Sequence, residues 1–267
     1  MSPKSGLHTI GSVPDAFDPL PMVSVVYSCH PEFRWMVSMV RAQIEDEARR
    51  LRYEIWHQRA VLFPMGVPPQ LAMYDPAIAA RVLHLEYERR ERIGSINGVA
   101  THEAAGILNR KRGIISISTR FDFAVQRFTG GHEIGHFLLH PELGDTTVHR
   151  DLPVFQYGTI NRNRPREDRE ADYFAACFLA PRDLLIEEFE KRFGPHPLWL
   201  NEHVAFHLRG DSASDLFVAP HGALVFPAAV AGAHKFDRRH FPSLAEHFGI
   251  SVSAMAIRLR ELELVRE

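Results

Sequence analysis

The chain has 267 residues, 45% of them hydrophobic, with 31 basic against 33 acidic side chains and a formal net charge of -2. That is enough apolar material for one large domain or two modest ones, and the balanced charge excludes an overall field that would draw the chain to nucleic acid or an anionic membrane. The two cysteines, Cys29 and Cys177, make no secreted disulfide framework, and "MSPKSGLHTIGSVPDAFDPLP" has no signal-peptide core, so a cytoplasmic protein is expected.

Residues 1 to about 31 read as an extended arm, punctuated by proline and glycine and without periodicity. From Phe33 the apolar positions Val37, Val40, Ile44, Ala48, Leu51 and Ile55 recur at steps of three and four, which predicts one long amphipathic helix. Pro64, Pro68 and Pro69 end it. A second helix is expected from Asp75 as N-cap, with Pro76 in its first turn, through "AIAARVLHLEYERRERI", the charged run Glu86 to Arg92 forming a solvated face. "AAGIL", the polar turn "NRKRG" and the β-branched "IISIS" predict a short hairpin.

Next comes "FTGGHEIGHFLLHP", Phe128 to Pro141, read as a helix that Thr129 can cap and whose Gly130 and Gly131 admit other backbone closely. Glu142 to Pro165 reads as irregular, and "REDREADYFAACFLAPRDLLIEEFEKRF" as one helix. "LFVA" and "ALVF" are expected to form a hairpin turning at Pro220, His221 and Gly222; the prolines and glycines there exclude a membrane span. The tail "FPSLAEHFGISVSAMAIRLRELELV" predicts helix, tight turn at Gly249, helix. It resembles a helix-turn-helix, but its second helix offers only Arg258 and Arg260 to phosphate, so a structural helical pair is the reading and nucleic acid is weakly supported as a partner.

The chemistry concentrates in the His-Glu-x-x-His stretch. Residues i and i+4 of a helix share a face, so His132 and His136 can aim both imidazoles at one cation. Zinc takes neutral imidazole nitrogen, and a catalytic site leaves one of its four places to water. Glu133, about 100° further around the helix, is placed to act as general base. By chance such a motif arises on the order of 0.1 times in a chain of this composition, so its surroundings must decide. Ile134, Phe137, Leu138 and Leu139 give the helix an apolar flank that would bury it, and two buried histidines without a metal would be costly. His140 continues the spacing of four and reads as a support for the ligands or a cap at Pro141. His203 and His207 in "NEHVAFH" repeat the pair without the glutamate or a downstream carboxylate cluster, and read as an ordinary helix face.

A third ligand has to come from elsewhere. Ala171, Phe174, Ala175 and Phe178 define the buried face of the following helix; one turn back, Asp168 and Glu167 lie on its extension and Glu170 on its rim. Spacing leaves Asp168 and Glu167 both open. Asp172, four residues after Asp168, is placed to orient a histidine ligand.

"FTGGHEIGHFLLHP" followed by "EADYFAACFLAP", with "HRD" (His149 to Asp151) between them, resembles the ImmA/IrrE family of zinc metallopeptidases over roughly residues 70 to 190. The family's register puts Asp168 at the position of the third ligand, usually glutamate, and Asp172 at that of an asparagine. An aspartate shortens the arm by one methylene, so either the helix lies closer to the metal or Glu167 takes over. The resemblance implies an α+β, zincin-like fold, mostly helical, with a small mixed sheet before the HExxH helix and a C-terminal helical region. The chain is expected to divide into an N-terminal arm and long helix over 1–69, a metallopeptidase domain over 70–195 and a C-terminal hairpin and helical region over 196–267.

The resemblance also implies Zn2+ as cofactor and, as substrate, a protein partner, often a helix-turn-helix repressor whose loss switches on stress-response, mobile-element or anti-phage genes. The amide is then hydrolysed with Glu133 moving the proton. "IISIS" offers strand addition to an extended substrate, or is an internal strand. Tyr157, His149 and Arg150 are candidates for the oxyanion, and Cys29 for a thiolate latch on the metal or simply a small core residue. The rivals are a DNA-binding regulator with a structural or vestigial metal site, disfavoured by the intact Glu133, and a metallohydrolase acting on a small molecule.

Overall fold

A computed structural model of the chain describes residues 31–93, 104–144, 146–150, 165–220 and 223–267, with 31–38 and 146–150 described by their backbone alone. Cys29, Tyr157 and the turn at His221 and Gly222 lie outside the described residues, as does the expected arm except for Pro31, which already opens a helix.

That helix, α1 (Pro31–His57), buries Ile44, Ala48, Leu51 and Ile55, the stripe its periodicity predicts. Two short turns, α2 (Arg59–Leu62) and α3 (Gln70–Met73), flank the proline-bearing loop and lead to α4 (Pro76–Val82). Asp75 caps α4 as expected, its carboxylate accepting from Ala77 N at 2.8 Å. The helix does not run on to Ile93, however. It stops after two turns, Leu85 N closes back on Ala80 O at 2.8 Å, His84 takes a positive φ of 58°, and the charged run becomes strand β1 (Glu86–Arg90). The period there is two: Leu85 and Tyr87 pack on the core while Glu86 is exposed.

Strands β2 (Ala104–Asn109) and β3 (Ile114–Ser118) form the predicted antiparallel hairpin. Asn109 Oδ1 accepts from Arg112 N at 3.0 Å, and Gly113 supplies the positive φ that closes the turn. β1 runs parallel to β3. Part of the segment expected to be irregular forms strand β4 (Thr146–Arg150), antiparallel to β2, so the sheet is mixed with the order β1-β3-β2-β4. The strand "IISIS" therefore has a neighbour on each side and no free edge for strand addition.

Helix α5 (Phe123–Leu139) starts after Asp122, well before the quoted motif, so Thr129 lies inside the helix and caps nothing. The long helix expected from Arg166 is two: α6 (Arg166–Leu179) and α7 (Arg182–Phe193), broken at Pro181. Proline has no N–H to give the carbonyl four residues back, and Arg52 Nη1 supplies the donor instead, 2.7 Å from Cys177 O.

The C-terminal region holds β5 (Leu198–Trp199), α8 (Glu202–Arg209), a 3-10 helix (Gly210–Leu216), α9 (Val225–Ala231), β6 (Lys235–Phe236), β7 (Arg239–His240), α10 (Leu244–Phe248), α11 (Val252–Glu261) and β8 (Val265–Arg266), which pairs parallel with β5. No hairpin joins "LFVA" to "ALVF": Leu216 ends the 3-10 helix and Val225 opens α9, whose Phe226, Ala229 and Val230 are buried at helical spacing. Helices α10 and α11 meet at a tight turn, the helix, turn, helix arrangement expected of the tail. Ser243 and Glu246 form a capping box, and Gly249 turns the chain in the left-handed region at φ 62°. Arg258, one of the two candidate phosphate contacts, is buried, 1% exposed, and over Tyr173.

The fold is α+β, mostly helical, with one contiguous apolar core running from Ile44 and Ile55 of α1 through Ile134 of α5 and Phe174 of α6 to Leu259 of α11. Among the described residues no helix is long and apolar enough to cross a membrane.

Candidate metal centre

The site forms where α5 lies between the sheet and α6. Two glycines set the spacing. A Cβ on Gly131 would stand 3.2 Å from Ala175 Cβ, and one on Gly135 would stand 3.1 Å from both Cα and O of Ala171. Without those side chains the two helices approach backbone to backbone, which brings the first turn of α6 beside the imidazoles of α5.

His132, Glu133, His136 and His140 are all buried. His132 Nε2 and His136 Nε2 lie 3.0 Å apart, and Asp168 Oδ1 lies 3.4 Å from His136 Nε2. The ligand atoms of His132, His136 and Asp168 all fall within 4.8 Å of one another; among the described residues no other group of three such side chains does so. Glu167, the alternative that spacing left open, is not in that group.

Two hydrogen-bonded chains fix what the imidazoles present. His132 Nδ1 is 2.8 Å from Asp172 Oδ1, so Nδ1 carries the proton and Nε2 the lone pair. On the other side His140 Nε2 stands 3.0 Å from Glu170 Oε2 and its Nδ1 3.1 Å from His136 Nδ1. His140 donates to the carboxylate, accepts from His136, and thereby leaves the lone pair of His136 on Nε2. Two lone pairs and a carboxylate oxygen thus meet at one point. Neutral imidazoles so arranged repel each other unless a cation lies between them, and nitrogen-nitrogen-oxygen is a donor set suited to zinc. The residues present therefore fit a metal ion. Burial alone would raise the Glu170 carboxyl, but hydrogen bonds from His140 and from Arg166, whose Nε is 2.6 Å away, hold it below its usual range.

Asp172 and His140 therefore occupy the supporting positions expected of them, and Glu170 holds His140 rather than joining the ligand cluster. The backbone of His149 and Arg150 lies on β4, where His149 pairs with Gly106. His203 and His207 lie on α8 with ring centroids 4.4 Å apart and belong to no such cluster.

Two contributors escaped the sequence reading. Arg110, in the β2–β3 turn, donates to the carbonyls of His136, Phe137 (3.2 Å) and His140 (2.8 Å), and so caps the last turn of α5. Gly106, on β2, faces Glu133. Nothing in the turn "NRKRG" distinguishes Arg110 from a solvated side chain; a glycine inside a strand does carry a signal, since it marks a bulge or a close approach.

A helix bearing paired, lone-pair-presenting imidazoles, packed between a small mixed sheet and a carboxylate-bearing helix, places the chain in the metallopeptidase class. Residues 89–203 match the IrrE N-terminal-like domain, a peptidase family, and this match supports the resemblance to the ImmA/IrrE family. No curated protein matches the chain.

Proposed function

We propose that the chain is a cytoplasmic zinc-dependent endopeptidase that cuts a protein partner, with His132, His136 and Asp168 holding the metal and Glu133 as general base. The observation that carries this reading is the meeting of His132 Nε2 and His136 Nε2, both on buried side chains, with the half-buried Asp168 Oδ1, and the fully buried Glu133 on the same helix as the histidines. Zinc held there would polarise the scissile carbonyl and acidify the attacking water. Glu133 takes the proton of that water and returns it to the leaving amine nitrogen. Asp172, and His140 backed by Glu170, keep both rings in the tautomer that offers Nε2. Packing of α5 on the sheet and on α6 keeps bulk water from the base.

The same geometry favours an extended peptide as substrate. Among the described residues β4 is an outer strand of the sheet, next to the strand whose Gly106 faces Glu133, so a substrate added alongside β4 would lie near the helix that carries the base. The family resemblance supports a helix-turn-helix repressor as the protein cut, and with it a stress, mobile-element or anti-phage response.

The test is to incubate the zinc-loaded chain, and separately its Glu133→Gln variant, with a purified helix-turn-helix repressor and with unfolded casein. Cleavage by the first and not by the second is expected. Equal cleavage by both removes Glu133 from the mechanism, and a purified chain that takes up no stoichiometric metal overturns the reading.

A further inference from the structure

We propose that Gly106 is a positioning residue for the hydrolytic reaction: the absence of a side chain there holds open the place of the Glu133 carboxylate. The inference rests on the role given above to Glu133.

Gly106 lies on β2, paired with Ile117 of β3 on one side and His149 of β4 on the other. Between Ala104, which pairs with Arg150, and Gly106 the register against β4 shifts, so Ala105 is the extra residue of a bulge. Bulges re-aim the strand face beside them. Here Gly106 and Leu108 face the same way as Ile117 and Ile115, with Leu108, Ile115 and Ile117 fully buried, and α5 packs on β2 and β3. A Cβ built on Gly106 would stand 2.6 Å from Glu133 Oε1, 3.2 Å from Glu133 Cδ and 2.5 Å from Thr129 Cγ2. Both Glu133 contacts fall well inside ordinary van der Waals separation.

The backbone does not explain the glycine. Gly106 is not among the positive-φ glycines, so alanine fits its conformation, and glycine inside a strand is the less stable choice. The two residues before it are alanines in the same strand. What alanine cannot have at this position is the space, which Glu133 and Thr129 fill. Both are met by side-chain ends rather than backbone, so a methyl would be accommodated by turning those ends aside, and the carboxylate would leave its position by roughly 1 Å. Displacement of a catalytic group on that scale costs on the order of 100-fold in rate. No atom of His132, His136 or Asp168 is among the three that the methyl would meet most closely.

The experiment compares the full chain with Gly106→Ala and with Gly106→Ala/Thr129→Ser, which removes the second atom the methyl meets but leaves the first. Each is assayed for zinc stoichiometry, thermal midpoint and casein turnover. The 13C carboxyl resonance of Glu133 is also recorded in metal-free protein, assigned by its loss in Glu133→Gln. The expected result for both variants is one zinc per chain, an intact fold, little change in KM, kcat reduced about 100-fold, and a shifted Glu133 resonance. Wild-type kcat in Gly106→Ala, recovery of kcat on adding Thr129→Ser, or an unmoved Glu133 resonance would overturn the proposal. So would failure of Gly106→Ala to fold, since the atoms that the methyl meets most closely belong to side chains that can turn aside. A wild-type chain that binds zinc but cleaves nothing counts against the peptidase reading, and the resonance then decides the role of Gly106 separately.

Discussion

His132 on α5 and Asp172 on α6 are joined by a 2.8 Å contact between Nδ1 and Oδ1 across the helix interface. That contact settles which nitrogen of His132 is protonated, and hence which one is offered to a cation. On the proposed ligand set, metal affinity is then expected to depend on a residue outside that set.

Replacing Asp172 with Ala is therefore expected to weaken zinc binding by roughly 10–100-fold while the ligand set stays complete. Competition with a chromophoric chelator measures it. An Asp172→Ala chain that holds zinc as tightly as the wild type would show that the contact is incidental.

Asp168 and Glu167 are adjacent in sequence but separate in space: Asp168 Oδ1 is 3.4 Å from His136 Nε2, and Glu167 is not in the cluster. Asp168→Ala is expected to abolish stoichiometric zinc uptake and Glu167→Ala to leave it unchanged, as read by elemental analysis after dialysis. The reverse pattern would move the third ligand to Glu167.

Arg110 ties the β2–β3 turn to the end of α5 through three carbonyl oxygens. Arg110→Met keeps much of the aliphatic stem and removes all the donors, leaving partly buried carbonyls without them. The expected loss is about 1–3 kcal/mol of stability, seen as a lower urea midpoint at unchanged m-value.

Glu188 on α7 has two cationic neighbours, Arg192 Nη1 at 2.5 Å and Lys191 Nζ at 2.7 Å, and a third, His247 Nε2 of α10 at 3.6 Å, that is cationic only when protonated. Burial alone would raise its pKa, but hydrogen bonds from Lys191 and Arg192 and the charges around it bring it down to about 2. The folded value is depressed, so the stabilisation is fully present above the unfolded pKa and is lost as pH falls from about 4.5 towards about 2. Glu188→Gln is expected to flatten the fall of unfolding free energy with pH across that window, measured by denaturant titration at several pH values. An unchanged slope would show that Glu188 gains nothing from its neighbours.

The helix stripe of α1, the hairpin, the capping of α4 by Asp75 and the Gly249 turn were legible because each depends on residues near in sequence: periodicity, a cap, a turn residue. The facing pair His132 and His136 was legible for the same reason, being one helical turn apart. What spacing could not show depends on the chain's return from a distance. β1 is disguised by its charges, which suit an outer strand as well as a helix surface. β4 draws its place from pairing with β2, more than thirty residues earlier. Arg110 and Gly106 matter only through α5 folding back on the hairpin that precedes it. The choice between Asp168 and Glu167 turns on the separation of α5 and α6, which two glycines set.

That separation yields the last prediction. Aspartate reaches one methylene less far than a glutamate would, and on the proposed ligand set the shorter arm suffices because Gly135 lets α6 lie against α5. A methyl on Gly135 would meet Ala171 Cα and O at 3.1 Å and Phe174 Cβ at 3.2 Å. Two of these are backbone atoms, which cannot rotate aside, so the helices must part by a few tenths of an ångström. Asp168 moves with α6, away from His136. Gly135→Ala is therefore expected to lower both the thermal midpoint and the zinc affinity, whereas Gly135→Ala combined with Asp168→Glu is expected to recover affinity but not the midpoint, since a longer arm restores reach without relieving the packing. Chelator competition and thermal melting on the same samples separate the two effects. If the added methylene fails to recover affinity, helix separation is not what allows an aspartate at this position.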